Sequence, residues 1–196
     1  MNIFQSTDRS VLLFLYNLVN GNPALELIFG VLAVITIYIV PIFLLWVWFS
    51  KGDPLKNKLV ALEVFLSGMV SWQLLSRLVK TFYFRARPFE NSSIGVRELL
   101  MHRPDQSFPS DHASLLFGIT FALYFFGKKR IANYFLTISI IVSISRIATG
   151  LHYFSDILGG VAVGFLGALL VYLLRRPFEK YLGIPLVNIS KKVKLS

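Results

Sequence analysis

Apolar residues in this chain form long, nearly unbroken runs that are separated by short polar segments. The longest runs cover residues 24–49, 59–81, 112–126, 131–148 and 155 to just before Arg175. A membrane-spanning helix needs about 20 mainly apolar residues, and these runs reach or approach that length. The pattern therefore predicts an all-α fold, a polytopic bundle of membrane helices.

A shorter apolar run, residues 11–19, lies near the N-terminus. It is too short to cross a bilayer. Asp8 and Arg9 stand together before it and no clear cleavage site follows, which argues against a secretory signal peptide. We interpret the segment as a short helix that lies at the membrane interface or re-enters the membrane. With it, the predicted bundle has five to six membrane helices in one domain, residues 1–196.

Composition agrees with a membrane protein, because 55% of residues are hydrophobic, 15% are charged and the mean hydropathy is +0.65. A soluble domain would carry about 25% charged residues. The chain has no cysteine, which excludes disulfides and thiolate metal sites. Its net charge of +10 comes from basic residues beside apolar runs, so a nucleic-acid partner is not expected.

The distribution of basic residues predicts the orientation. Twelve of the 20 Lys and Arg residues lie in segments 51–58, 128–130 and 175–194, and seven lie at the opposite ends of the spans. The positive-inside rule then places both loops and the C-terminal tail, residues 177–196, in the cytoplasm. Glu63 lies inside the second span, one turn from the first of these loops, and we expect it to pair with that loop.

The alternation of spans brings polar residues together at the other membrane face. The second and fourth spans end on the side where the third and fifth begin, so residues at these ends should meet outside the cytoplasm. The residues concerned are Lys80, Arg87, Ser110, Asp111, His112, Ser145, Arg146, His152 and Asp156.

Three cations in this set suit a phosphoryl group. Lys80, Arg87 and Arg146 would surround a dianion and neutralise the charge that develops on it. The backbone N–H groups of residues 110–112, at the start of a helix, would add a further anion site.

Two histidines allow the chemical roles to be divided. Asp156 follows His152 by four residues and can fix the tautomer of its ring, which makes His152 the predicted nucleophile. His112 is then the predicted general acid and base. Because one ring must be neutral and the other protonated, the rate should depend on pH in a bell shape.

Three stretches also resemble a known pattern. Residues 80–88 fit K-x6-R-P, residues 109–112 fit P-S-x-H, and residues 145–156 fit S-R-x5-H-x3-D. Together they are similar to the signature motifs of the type-2 phosphatidic acid phosphatase superfamily of membrane lipid phosphatases. The resemblance covers residues 59–176, with the motifs in the family's order and between the expected spans.

The resemblance implies a phosphohydrolase that needs no metal or cofactor and works through a phosphohistidine. It implies phosphate binding by Lys80, Arg87, Ser110 and Arg146, acid/base work by His112, attack by His152 and support by Asp156. Most members carry glycine where this chain has Asp111, which we group with the phosphate-binding residues. Beside a phosphate this carboxylate must face away or meet a cation.

The aspartate at 111 also occurs in bacterial undecaprenyl-diphosphate phosphatases of this superfamily. The resemblance therefore favours undecaprenyl diphosphate as the substrate, converted to undecaprenyl phosphate at the outer face of a bacterial plasma membrane. Phosphatidylglycerol phosphate and the 1-phosphate of lipid A are alternative substrates.

Three other functional classes remain open. A metallohydrolase could use Asp111, His112, His152 and Asp156 as ligands. A phosphotransferase and a non-catalytic lipid-binding or transport protein are the other two. The remaining basic residues at this face are expected to anchor to lipid headgroups or to be solvated in the loop: Arg77, Arg85, Arg97 and Arg103 as anchors, and His102 in the loop.

Overall fold

The computed structural model describes residues 3–49, 53–97, 99 and 106–192, and the regular structure in these residues is all helical. The helices that build the site are α1 (Ile3–Val19), α2 (Pro23–Val34), α3 (Thr36–Trp48), α4 (Pro54–Phe82), α5 (Asp111–Phe125), α6 (Lys129–Ala148) and α7 (Phe154–Leu173). Helix α5 lies at the centre and packs on α4, α6 and α7. The predicted all-α bundle is confirmed.

Within the described residues, α4, α6 and α7 are each long and apolar enough to cross a membrane. Helix α5 is apolar but has only 15 residues. Its Leu116 and Ile119 are fully buried, because other helices surround it. Helices α2 and α3 are long and apolar enough to cross a membrane only when they are taken together, and the pair is bent by 49°.

The predicted span over residues 24–49 is present as two helices, α2 and α3, with a bend between them. Helix α2 ends at Val34 and α3 begins at Thr36. Pro41 lies inside α3, and its ring has no N–H for the carbonyl four residues before it, at position 37. The missing bond lies in the first turn of α3, just after the break.

Helix α4 contains a π-helical stretch, Val70–Ser76, before it finishes as an α-helix. The stretch packs on α7. The Ser71 hydroxyl donates to the Ser67 carbonyl oxygen of its own helix at 2.7 Å and lies 3.4 Å from the Gly164 carbonyl oxygen of α7. A π turn holds an extra residue and changes the direction of the side chains after it. Ser76 ends this stretch and Lys80 follows it, and both face the site described below.

Glycines on α7 allow close contact with α5, as the spacing of Gly160, Gly164 and Ala168 predicts. A Cβ atom at Gly164 would lie 2.7 Å from the backbone nitrogen of Gly118 and 2.9 Å from the Phe117 Cβ. At Gly160 it would lie 2.6 Å from the Ala113 Cβ. Both helices carry site residues at their N-terminal ends, so this contact sets the distance between those residues.

We expect Gly164→Val to lower the free energy of unfolding by about 1–3 kcal/mol or more, because its side chain would meet backbone on α5. Thermal unfolding of the purified protein in detergent measures the effect. Ala162→Val is the matched control, since Ala162 lies on the same helix and is exposed. Equal midpoints for the two variants would contradict the close contact.

The N-terminal helix is longer than its apolar run. It packs on α6 and α7, and its residues Leu12, Tyr16 and Val19 are buried. The polar turn that precedes the apolar run therefore also belongs to the helix, and it brings Asp8 to the bundle.

The C-terminal segment is helical as well. Helices α8 (Arg175–Phe178) and α9 (Ile184–Lys192) are joined by a π turn, Glu179–Gly183. Glu63 is buried and faces Glu179 and Arg175 of this segment. Glu63 therefore meets the C-terminal segment, and its pairing with loop 51–58 stays a prediction.

Candidate active site

Four helix ends meet at one face of the bundle. The Nζ of Lys80 at the end of α4 lies 2.7 Å from Oδ2 of Asp111 at the start of α5. Arg146, near the end of α6, points its Nη2 to within 3.3 Å of Nε2 of His152, which precedes α7. The structure thus brings together the ends that the alternation of spans places on one side.

His152 lies in a tight turn between α6 and α7. Gly150 follows the end of α6 with a φ of +75°, which favours glycine. The N–H groups of Leu151 and His152 then both donate to the carbonyl oxygen of Arg146, at 3.1 and 3.3 Å. This turn buries the His152 side chain, which is 1% exposed.

The two ring nitrogens of His152 face different surroundings. Nε2 lies 3.3 Å from Nη1 of Arg87 and 3.3 Å from Nη2 of Arg146. Nδ1 lies 3.5 Å from Oδ2 of Asp156 and 3.5 Å from the Ser107 hydroxyl. The cations thus lie on one side of the ring, and the carboxylate lies on the other.

Burial of the ring, with the charges of Arg146, Arg87 and Lys80, holds the pKa of His152 well below its usual range. The imidazole is therefore neutral at neutral pH. Its single proton belongs on Nδ1, beside the Asp156 carboxylate, because Nε2 faces guanidinium N–H donors. This tautomer directs a lone pair from Nε2 towards the guanidinium groups of Arg87 and Arg146.

The lowered pKa of His152 leads to a pH prediction. If neutral His152 is required, the acid-side decline of kcat/KM should lie well below pH 6.5, the ordinary imidazole value. In Arg146→Gln the loss of one nearby charge raises the pKa of His152, so this decline should begin at a higher pH. A decline centred near 6.5 in the wild type would contradict the environment described here.

Both guanidinium groups are held by backbone carbonyls. Nη1 of Arg87 donates to the Leu151 carbonyl oxygen at 2.8 Å, and Nη1 of Arg146 donates to that of Ala33 at 3.0 Å. Both side chains are buried. Arg87 begins a 3₁₀ turn, Pro88–Glu90, in which its N–H donates to Glu90 at 2.9 Å. The two cations are thus fixed before any anion arrives.

The Asp111 carboxylate pairs with a cation, which is one of the two arrangements expected for a carboxylate beside a phosphate site. Its two carboxylate oxygens accept from Lys80 at 2.7 Å and from the Ser76 hydroxyl at 2.6 Å. The Lys80 and Asp111 side chains are 14% and 29% exposed. Lys80 therefore reaches the site already paired, and Asp111 orients it.

Ser110 and His112 stand at the start of α5. The Ser110 N–H donates to the carbonyl oxygen of Asp156 at 3.0 Å, so this N–H does not serve the predicted backbone anion site. The Ser110 hydroxyl is buried, and within the described residues it has no hydrogen-bond partner. His112 is half-buried in the first turn of α5.

Several residues at the site were not predicted. The buried carboxylate of Asp156 accepts from Nη1 of Arg85 at 2.7 Å, from the Tyr153 N–H at 2.8 Å and from the Ser107 hydroxyl. Arg85 also pairs with Asp8 of α1 at 2.7 Å. It is therefore part of the site, which corrects its expected role as a headgroup anchor.

Two signals in the sequence point to these residues. Asp8 is an acidic residue in the turn before an apolar run, and Arg85 lies inside the K-x6-R-P stretch. The expected role of Arg97 also needs correction, because Arg97 pairs with Glu26 at 2.7 Å. His102 and Arg103 lie outside the described residues.

The metal-ligand alternative requires carboxylates and imidazoles to converge. In the part of the chain that the structure describes, three such side chains do not cluster. Asp111 and Asp156 each pair with a cation instead, Lys80 and Arg85 respectively.

A family model described as the PAP2 superfamily matches residues 61–180. The chain belongs to the PAP2 superfamily. The matched region contains all three motifs and the four helix ends that build the site. The chain is therefore a membrane phosphatase of this superfamily, and the helical fold that the motifs imply is confirmed.

Two bacterial proteins are similar to this PAP2 chain over most of its length. The undecaprenyl-diphosphatase BcrC of Bacillus subtilis is 30% identical over 168 residues, which cover 84% of this chain and 83% of that protein. The bacitracin transport permease protein BcrC of Bacillus licheniformis is 32% identical over 141 residues, covering 72% and 67%.

A solved structure has the same fold. It is the transmembrane PAP2-type phosphatidylglycerolphosphate phosphatase of Bacillus subtilis, with a TM-score of 0.65. The two chains are 21% identical, and the match covers 92% of this chain and 90% of that one.

Proposed function

We propose that this protein hydrolyses undecaprenyl diphosphate to undecaprenyl phosphate through a phosphohistidine on His152. One observation carries the proposal. The buried, neutral ring of His152 directs Nε2 between the guanidinium groups of Arg87 and Arg146, at 3.3 Å from each. A nucleophilic nitrogen between two fixed cations is the arrangement that attack on a phosphoryl group requires.

In the first step the lone pair of Nε2 attacks the terminal phosphorus, and the bond from phosphorus to the bridging oxygen breaks. The leaving lipid phosphate takes a proton from His112. In the second step His112 removes a proton from water, which attacks the phosphohistidine and releases phosphate. The Nδ1 proton stays between His152 and Asp156 throughout, so the ring keeps its tautomer.

The other site residues bind the phosphoryl oxygens. Arg87 and Arg146 lose their contacts to Nε2 when a phosphoryl group enters, and they donate to its oxygens instead. The buried Ser110 hydroxyl is a further donor. Lys80 contributes from the more exposed side, oriented by its 2.7 Å pairing with Asp111.

The choice of lipid and of membrane face has separate support. The relative from Bacillus subtilis is an undecaprenyl-diphosphatase. Asp111 in the P-S-x-H motif is also the feature by which this chain resembles such enzymes. The excess of Lys and Arg in the loops at the far end of the bundle supports an extracytoplasmic site in a bacterial plasma membrane.

The test is phosphate release by the purified protein in detergent, with a chelator present. Undecaprenyl diphosphate, phosphatidylglycerol phosphate and lipid A are compared side by side. We expect release that is fastest with undecaprenyl diphosphate, unaffected by the chelator, and accompanied by a phosphoenzyme that is labile to acid and stable to alkali.

Each other outcome identifies an alternative. Faster release from one of the other lipids would name a different substrate. Loss of activity in the chelator would favour the metallohydrolase, and transfer of phosphate to an acceptor other than water would favour the transferase. If the folded protein releases phosphate from none of these lipids, lipid binding or transport is the remaining functional class.

A further inference from the structure

A chain of three charges, with two buried carboxylates and a half-buried arginine between them, joins the N-terminal helix to the site. Arg85 lies between two carboxylates, with Nη2 2.7 Å from Oδ2 of Asp8 and Nη1 2.7 Å from Oδ1 of Asp156. The side chains of Asp8, Arg85 and Asp156 are 6%, 20% and 0% exposed. Opposite charges that lie this close together with so little solvent exposure constrain one another strongly, because little water screens them.

Asp8 also holds the first turn of α7. Its Oδ1 accepts from the Ser155 N–H at 2.8 Å, and its Oδ2 accepts from the Ser155 hydroxyl at 2.6 Å. An N–H in the first turn of a helix lacks a partner within the helix, so a carboxylate from α1 satisfies it here. Ser155 is next to Asp156, and this contact fixes the backbone that carries the catalytic carboxylate.

Arg85 holds the other side of Asp156. Its guanidinium group stacks on the Tyr153 ring, 4.0 Å from the ring centre, and its carbonyl oxygen accepts from the Ser107 N–H at 2.8 Å. Ser107 donates in turn to Oδ2 of Asp156, the oxygen that faces His152. Arg85 therefore fixes Asp156 directly and through Ser107.

We propose that Asp8 and Arg85 are positioning residues for catalysis, and that α1 is a required part of the active site. They act by holding the Asp156 carboxylate at Nδ1 of His152, so that Nε2 keeps its lone pair aimed at the phosphoryl group. Arg85 pairs with Asp156, the carboxylate on the Nδ1 side of the His152 ring, and Asp8 pairs with Arg85. The inference rests on the proposed role of His152.

This arrangement predicts a specific pattern of kinetic defects. In Arg85→Gln, Asp8 and Asp156 lose their shared cation, and Asp156 no longer has a fixed orientation. We expect kcat to fall by about 100-fold and KM to change by less than about threefold, since ground-state phosphate contacts are intact. Asp8→Asn keeps one acceptor oxygen, for the Ser155 N–H, but loses the second acceptor and the charge, and should lower kcat by about 10-fold.

The experiment measures kcat, KM and the single-turnover rate of phosphoenzyme formation for Arg85→Gln, Arg85→Lys and Asp8→Asn. Arg97→Gln is the matched control, because the Arg97 side chain also joins the loop to the N-terminal helices, through Glu26, but is 63% exposed. Thermal unfolding reports whether each variant is folded. We expect Arg85→Lys to restore part of kcat, because it restores the charge.

Normal kcat in folded Arg85→Gln, or a defect no larger than that of Arg97→Gln, would overturn the inference. A change in KM alone would also overturn the inference, because it would mean that the replaced side chain contacts the substrate. If Arg85→Gln does not fold, Asp8→Asn and Arg85→Lys decide by the same criteria. Absence of a phosphoenzyme in the wild type would instead contradict the proposed mechanism, and the kcat comparison would still test positioning.

Discussion

Replacement of His152 by asparagine should reduce phosphate release by about 10⁴-fold or more and eliminate the phosphoenzyme. Asparagine can fill the space near Asp156, but it has no nitrogen lone pair between the two guanidinium groups, which lie 3.3 Å from Nε2. Loss of a nucleophile or its base costs about 10⁴- to 10⁶-fold in enzymes of comparable design. Phosphate release and rapid-quench labelling with a radioactive terminal phosphate measure the two effects.

His112→Asn provides the matched comparison, because it removes the other histidine of the proposed mechanism. General acid and base catalysis is worth about 10²- to 10⁴-fold, so this variant should form the phosphoenzyme slowly and hydrolyse it slowly. Labelled protein should accumulate in His112→Asn and be absent in His152→Asn. Label in His152→Asn, or its absence in both variants, would show that the roles are assigned wrongly.

The location of the site could be predicted because topology alone determines it. Apolar runs mark the spans, and alternation of the spans then decides which ends share a face. The ends that carry Lys80 and Arg146 lie beside those that carry Asp111 and His152, and the distances of 2.7 and 3.3 Å between these pairs agree with this expectation.

Contacts between distant segments could not be predicted in the same way. Asp8 and Arg85 are 77 residues apart, and neither hydrophobic periodicity nor a local motif indicates that they meet. A single arginine near a membrane is usually an anchor to headgroups, so its burial against two carboxylates depends on how α1 packs. The pairing of Asp111 with Lys80 was one of two arrangements that electrostatics allowed, and only the structure distinguishes them.

The break between α2 and α3 was missed for a different reason. Hydropathy averages over a window and does not register a single proline among isoleucines and valines. Pro41 removes one backbone hydrogen bond, and membrane helices often tolerate such a loss without breaking. The break has a structural consequence, since Ala33 near the end of α2 uses its carbonyl oxygen to hold Arg146 at 3.0 Å.

That contact makes Arg146 the second residue whose replacement should have a large effect. Arg146 donates to the Ala33 carbonyl with Nη1 and faces Nε2 of His152 with Nη2. The fork of the guanidinium group is needed to do both at once. Lysine keeps the charge but has one nitrogen in place of the planar fork, so Arg146→Lys should weaken the anchor, the phosphoryl contact or both.

We therefore expect Arg146→Lys to lower kcat/KM by about 10²- to 10³-fold, the cost of losing one donor that stabilises developing charge. The retained charge should keep the pKa of His152 low, so the acid side of the pH profile should stay where it is in the wild type. Arg146→Gln should lower the rate further and also move that decline to higher pH. The two variants thus separate the geometry of the guanidinium group from its charge.

Arg77→Lys is the control, because Arg77 is an exposed arginine near the same end of α4 and should tolerate the change. Initial rates over a range of pH with undecaprenyl diphosphate measure all three variants. Activity in Arg146→Lys within a few-fold of the wild type would mean that positive charge alone suffices at this position. In that case the carbonyl of Ala33 is not needed to aim the cation, and the bend that brings it there has no catalytic role.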